Sequence, residues 1–412
     1  MSNAVAEILL DKSNKRIQHK IGAESERLVC DASGKVLRYQ PHLKTLLEEL
    51  VQKKGWETSY QENSNILGLK RGSDYISLEP GAQLEISGAP QDHLFLVREK
   101  ESEIEEEILS TQAAQDWSWL WLGLNPYDSV EDIQIIPSTR YQIMTRYYPA
   151  HSKRGLDMMR LTAGFHLNLD YYEPEEACEM LRAGLFLTPF VVALFCNSPF
   201  YHSQQAPSLS ERTMIWKDND SLRSGILDFV FHSDFQLMDY VNFVCSTPLM
   251  YFMDEQGHAQ PAEGRCLTDL SLDLQKTNAL PALREIFTEA RIKPCCVELR
   301  SFDQQKPNER YAAMAFAIGL VYDLENRSYL NKEALRFSPD QLRKWIEDSA
   351  RFAMKHDETY QMIQNLFQRS YEGLKRRGFG EEELLKPVEK LISQRKSPAE
   401  LLLESKTFED LK

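Results

Sequence analysis

The sequence predicts an α+β protein in which a largely antiparallel sheet carries helices on one face and lines a cleft with the other. Short strands with acid-bearing faces recur along the chain, stretches of helical periodicity separate them, and the chain from Asn308 onward reads mostly as helix. The clearest strand pair lies in Asp74–Pro90. Ser77 and Glu79 alternate there with Ile76 and Leu78, and Gln83 and Glu85 with Leu84 and Ile86, about a turn at Pro80-Gly81. Successive strand side chains point to opposite faces, so this hairpin is oily on one side and acidic on the other. Alone, it reads more readily as a half-exposed hairpin whose polar face merely meets water. Carboxylates beside an amide are also hard oxygen ligands suited to Mg2+.

The other elements follow in chain order. His19–Cys30 reads as a strand with Glu24 and Glu26 on one face, and Pro41–Lys54 as a helix with Leu43, Leu46, Leu47 and Leu50 inward and Gly55 as its stop. Asn65–Gly72, which carries Lys70, reads as a strand and turn. Asp92–Gln115 fits an amphipathic helix whose acidic run Glu101–Glu107 is a solvated face. Trp117–Leu124 is an apolar strand, and Thr139–Tyr147 a helix bearing Arg140 and Arg146.

Leu161–Asp170 sets Phe165, Leu167 and Leu169 against Gly164, His166, Asn168 and Asp170. A single His is usually a satisfied structural residue, but His166 two positions from Asn168 on a polar strand face is a better ligand candidate. Glu175–Phe195 reads as buried helix and Ser208–Trp216 as a loop containing Arg212, with Arg223 shortly after. Ala282–Arg291 reads as helix and Pro294–Arg300 as a strand with Cys296, Glu298 and Arg300 on one face. Helices are expected at Arg310–Tyr322, Pro339–Lys355, Glu358–Arg377 (ended by Gly378) and Glu381–Arg395, with a capping box at Ser397-Pro-Ala-Glu400.

With 412 residues, 42% of them hydrophobic, the chain can bury a large core. A single catalytic unit over 1–412 is expected, with a sheet-based core at 15–335 and a helical segment at 336–412. The net charge of −14 argues against a general nucleic-acid or anionic-membrane binder. Seven Cys without metal-ligand spacing point to a reducing compartment, and Met1–Leu10 shows no export signal, so a cytoplasmic protein is expected. The apolar run Ala183–Phe200 is interrupted by Pro189, which favours a buried helix over a membrane span.

Glu24, Glu26, Glu79, Glu85 and Glu298 on one sheet would repel one another strongly unless cations joined them. A divalent metal is the economical answer, with Arg212, Arg223 and Arg300 available to clamp carboxylate or phosphate groups. No Walker A sequence or glycine-rich dinucleotide fingerprint is present.

Ile21-Gly-Ala-Glu-Ser-Glu26, Ile76–Pro90, Gly155-Leu-Asp-Met-Met159, Asn168-Leu-Asp170, Ala193–Phe200, Arg212–Trp216 and Glu298-Leu-Arg300 together resemble, in the same order, the plant-type glutamate–cysteine ligases, which include bacterial members. The resemblance implies a glutamine-synthetase-like fold with a curved sheet and a concave active-site face, small-molecule substrates, and ATP and Mg2+ as cofactors. ATP would phosphorylate the γ-carboxylate of glutamate, and the amine of cysteine would attack the acyl phosphate. By this likeness Glu24, Glu26, Glu79, Glu85 and Glu298 are metal and nucleotide-phosphate candidates, joined by His166. Gln83, Lys70 and Arg223 are nucleotide candidates. Arg212 and Arg300 would grip substrate during catalysis, with Tyr251, His166 and Asn168 lining the amino-acid site.

The chain also departs from that family. Where the ligases read Arg-Thr-Cys-Thr-Val-Gln-Val-Asn-Leu-Asp, this chain reads Leu161-Thr-Ala-Gly-Phe-His-Leu-Asn-Leu-Asp170, and Ser301-Phe302-Asp303 replaces Gly-Ala-Asp. The acceptor is accordingly cysteine or another amine, and His166 can take over metal ligation from an amide.

Overall fold

A computed structural model describes residues 3–11 and 19–405. Met1 and Ser2 of the segment read for an export signal, and both ends of the expected 1–412 unit, lie outside the described residues. Nine strands among the described residues form the main sheet: β1 (Ile21–Cys30), β2 (Glu57–Glu62), β3 (Asn65–Arg71), β4 (Asp74–Leu78), β5 (Leu84–Ser87), β6 (Ser118–Leu120), β7 (Gly164–Asp170), β8 (Ala290–Lys293) and β9 (Cys296–Asp303). They run in the order β8-β9-β7-β1-β5-β4-β3-β2, with β6 added to β1, and every neighbouring pair is antiparallel.

The helices that shape the site are α1 (Lys44–Lys53), α2 (Leu94–Leu109), α3 (Thr139–His151), α4 (Gly155–Leu161), α5 (Pro174–Phe195), α6 (Glu211–Lys217), α7 (Leu272–Arg284) and α8 (Pro307–Val321). On the apolar face, α1 packs on β3, α2 on β1 and β5, α5 along β9, and α8 on β7. Leu69, Ile76, Leu78, Leu84 and Ile86 bury on that side, as do Phe165, Leu167, Leu169, Leu299 and Phe302. Full burial of each Leu or Phe contributes about 1.5–3 kcal/mol over exposure. Pro189 sits inside α5 without ending it, and α5 is buried in the protein core.

Four local expectations are corrected. Ser208–Trp216 is not a loop, because the Ser210 hydroxyl caps α6 by accepting from the Thr213 N–H at 3.2 Å. The expected helix over Ala282–Arg291 ends at Arg284, and Arg291 belongs to β8. Only Ser118–Leu120 of the apolar run Trp117–Leu124 pairs as strand, and Leu161 closes α4 instead of opening β7.

The acidic run on α2 is not a solvated face. Strand alternation puts Arg27 on the side opposite Glu26, where its fully buried guanidinium meets Glu101 at 2.6 Å and also pairs with Glu105. Arg310 from α8 reaches Glu101 at 3.0 Å, and the Tyr311 hydroxyl donates to the same carboxylate. Helical periodicity turns Glu101 and Glu105 inward together and leaves Glu103 and Glu106 outside. Burial alone would raise the Glu101 pKa, but Arg310 and Arg27 outweigh it and hold the carboxyl at about 2.

A carboxyl depressed in this way contributes stability above its unfolded value of 4.5 and loses it as pH falls toward 2. The denaturation midpoint of the protein should therefore drop more steeply over this interval than that of Glu101→Gln. At neutral pH, Arg27→Met should destabilise the fold by about 3–5 kcal/mol in chemical unfolding, because it removes one partner of a buried ion pair.

Candidate active site

Strand register assembles the polar face. Glu24 lies opposite Ser87 on one side and His166 on the other, while Glu26 faces Glu85 and Glu85 faces Ser77. On β9, Glu298 lies opposite Asn168. Leu299 then pairs with Leu167 and Phe302 with Phe165, so Arg300 and Ser301 share the place opposite His166. Such a one-residue bulge re-aims side chains. Glu79 follows β4 directly, and its carboxylate accepts from the Tyr141 hydroxyl at 3.4 Å. Glu24, Glu26, Glu79 and Glu85 are half-buried, whereas His166, Asn168, Glu298, Arg212 and Arg300 are buried around them.

The acids divide by what neutralises them. Glu298 is enclosed by the Arg291 guanidinium, by Arg300 Nη1 at 2.8 Å and by Lys293 Nζ at 3.0 Å. Burial opposes ionisation there, but Arg291, Lys293 and Arg300 keep its carboxyl well below the usual range. Glu24 Oε1 accepts from Lys293 Nζ at 2.7 Å and from Asn168 Nδ2 at 3.0 Å. Burial pushes its pKa up, but Lys293 and His166 together bring it below the usual carboxylate range.

Glu26, Glu79 and Glu85 have weaker compensation. Burial and the neighbouring Glu79 push Glu26 up to about 7, although it accepts from the Gly164 N–H at 2.6 Å. Burial followed by the charges of Glu24, Glu79 and Glu26 raises Glu85 well above the carboxylate range. Glu79 is raised by burial against the pull of Arg140 and Arg300. His166, buried and beside Arg300, is held down at about 4, so its ring is neutral and can ligate.

Ligand atoms of Glu24, Glu85 and His166 lie within 4.8 Å of one another. Acids short of positive charge beside a neutral imidazole are a donor set that fits a divalent cation. Glu298 is the exception among the expected ligands, because three protein cations already surround it.

Arg212 and Arg300 come together near Glu26. The Arg212 guanidinium lies against Gly164, where an added Cβ would stand 2.6 Å from Nη2, and Nη2 donates to the Arg300 carbonyl at 3.2 Å. Trp216 lies beneath both guanidiniums, at 5.8 Å from Arg212 and 5.7 Å from Arg300. Tyr251, buried, lies beside Arg140 and Arg284. Burial, and after it the neighbouring Arg140 charge, lowers the Arg284 pKa, whereas Arg140 is raised against its burial by Tyr141, Tyr251 and Glu79.

The three expected nucleotide contacts are not brought into the cluster. Gln83 spends its amide as a staple, accepting from the Gly81 N–H at 2.9 Å and donating to the Thr162 carbonyl at 2.7 Å. A side chain at Gly81 would collide with the Arg160 carbonyl, so this turn is clamped on the end of α4. Arg223 is fully buried and bonded to Asp220 at 2.7 Å, to Glu285 at 3.2 Å and to the Tyr147 hydroxyl at 3.1 Å. Lys70 shares a row with Glu24, but Tyr75 and Ser87 intervene and its ammonium pairs with Glu57 at 3.7 Å.

Sequence reading missed Lys293, Arg291, Arg140 and Arg284 as site residues. Reading Ala282–Arg291 as helix hid Arg291, and Lys293 fell between that helix and the strand expected from Pro294. The signal was the period-two pattern on both sides of Pro294-Cys295, where Cys295 takes a φ of +69° and folds β8 back on β9. A surface cleft of about 780 Å³ lined by His151, Lys153, Asp157 and His202 lies apart and includes none of these residues.

The fold is that of the glutamine-synthetase-like ligases. The fold is shared with a Francisella tularensis glutamate–cysteine ligase solved with AMP, at a TM-score of 0.58, 13% identity, 95% coverage of this chain and 85% of that one. Residues 20–410 match the profile of glutamate-cysteine ligase family 2 (GCS2), and the chain belongs to that family. It is 31% identical over 398 residues to glutamate–cysteine ligase B, chloroplastic, of Oryza sativa subsp. japonica, covering 93% of this chain and 79% of the relative. The Arabidopsis thaliana chloroplastic enzyme is 31% identical over 403 residues, with 94% and 76% covered. These names correct the expected cytoplasmic compartment: relatives sharing nearly the whole chain are chloroplastic, so its cysteine usage does not mark a cytosolic protein.

Gly164→Ala tests the contact that seats Arg212. The added methyl would also stand 2.8 Å from the Phe302 carbonyl, so Arg212 must move. Turnover should fall about a hundredfold for a displacement near 1 Å, with thermal unfolding measured alongside to confirm a folded protein.

Proposed function

We propose that the protein joins the γ-carboxylate of glutamate to the amine of cysteine at the expense of ATP. The observation that carries this is the convergence of Glu24, Glu26, Glu79, Glu85 and His166 with Arg140, Arg212 and Arg300, in a chain of the glutamate–cysteine ligase family. Three anionic groups must meet here: a polyphosphate and two amino acids. In the first step a γ-carboxylate oxygen bonds to the terminal phosphorus of ATP as ADP leaves. In the second the amine nitrogen forms the amide bond as phosphate leaves and the amine proton is lost.

Glu24, Glu85 and His166 would hold Mg2+, with Glu26 and Glu79 beside them. When bound, the ion would neutralise charge on the transferring phosphoryl group. Arg212 and Arg300, seated on Trp216, present planar donors for phosphate or carboxylate oxygens. Arg140, Arg284 and Tyr251 form a second positive wall suited to an amino-acid carboxylate. Asn168 positions Glu24, and Glu298 positions Arg300 and Lys293.

ADP release should require glutamate and be stimulated strongly by cysteine; stimulation by a different amine with none by cysteine would replace the proposed acceptor. Glu85→Gln should cut turnover about a hundredfold or more while the protein stays folded. Glu298→Gln should instead lower thermal stability, because it leaves buried cations uncompensated. Arg140→Met should raise KM for an amino-acid substrate about tenfold to a hundredfold, the size of a lost charge-assisted hydrogen bond.

A further inference from the structure

The geometry points to a metal preference at this site: His166 makes it select a first-row transition ion of the Mn2+ class over Mg2+. The inference rests on the reading that the acid cluster holds a divalent ion, and goes beyond it to which ion. Its basis is the state of one ring. His166 is 4% exposed, and its Nε2 has no hydrogen-bond partner among the described residues. Leaving such an atom unpaired in the interior is unfavourable, so it calls for a partner. Nε2 lies 3.9 Å from Glu26 Oε1, while Nδ1 faces Glu24 Oε2 at 3.4 Å. The Nδ1 contact fixes the ring by the same carboxylate–histidine arrangement that orients metal-bound imidazoles.

The backbone that carries the ring is fixed in place. Its strand neighbours Phe165 and Leu167 are locked in the core, and the bulge between Leu299 and Phe302 packs across from it. The donor set offered with Glu24 and Glu85 is therefore mixed, with carboxylate oxygens and one nitrogen. Mg2+ favours oxygen ligands and retained water, whereas imidazole favours first-row transition ions; Mn2+ accepts both. An amide at position 166 would offer only an oxygen, so this side chain sets the difference.

The test uses the full chain stripped of metal, with Mn2+ as the probe, with and without a non-hydrolysable ATP analogue. Binding is followed by the paramagnetic resonance of free Mn2+, with Mg2+ as competitor, and the bound ion is examined for nitrogen spin-echo modulation. The expected result is an imidazole nitrogen signal in the unaltered protein. His166→Gln should lose that signal and narrow the Mn2+ over Mg2+ preference about tenfold or more. Thermal unfolding of His166→Gln checks its fold, and the nitrogen signal of the unaltered protein needs no variant. Tight Mn2+ binding without nitrogen modulation, or an unchanged preference in His166→Gln, would overturn the metal preference and leave the divalent-ion site standing. If neither ion binds under either condition, both readings fail.

Discussion

Charge balance across one sheet face is the constraint on which this structure depends. Carboxylates from β1, from β5 and from Glu79 just past β4 would repel one another in isolation. The same sheet brings β7, β8 and β9 beside them, carrying His166, Lys293, Arg291 and Arg300. The compensation is uneven. It saturates Glu298, satisfies half of Glu24, and leaves Glu26, Glu79 and Glu85 short of positive charge. Fully paired acids would make a rigid but inert network; the shortfall is a charge deficit that a bound cation would make good.

The opposite face solves a different problem with similar groups. Arg27, Glu101, Glu105 and Arg310 also form buried ion pairs, yet every carboxylate there has a guanidinium partner. That network ties α2 and α8 to the back of β1, the strand that carries Glu24 and Glu26 on its front. The position of the two acids is thus fixed from behind by the alternation that presents them. Around the rim, Gly81 and Gly164 matter for the space they leave empty, one for the Arg160 carbonyl and the other for the Arg212 guanidinium.

Much of this was legible in the chain. Alternation assigned Glu24, Glu26, Glu85, His166, Asn168 and Glu298 to polar strand faces, and all of them share one face of the sheet. The long apolar run gave α5, and Gly378 ends its helix in the left-handed conformation. Less legible were residues whose role depends on distant partners. Gln83 matched a ligand by type and parity, yet the end of α4 claims its amide. Arg223 matched a phosphate clamp, yet Asp220 and Glu285 occupy it. Arg291 was lost to a helical reading, and Lys293 to the gap after it, because a tight turn, not a longer periodicity, decides that segment.

The sequence by itself determined which side chains share a face, because the period of a strand is a local property of the backbone. It also determined family membership, through motifs kept in one order along nearly the whole chain. Only the tertiary structure decided which acids are neutralised and which are left wanting. That depends on strand order, register and one bulge, which place residues more than a hundred positions apart within hydrogen-bonding reach. Electrostatic interaction falls off with distance in space and is indifferent to distance along the chain.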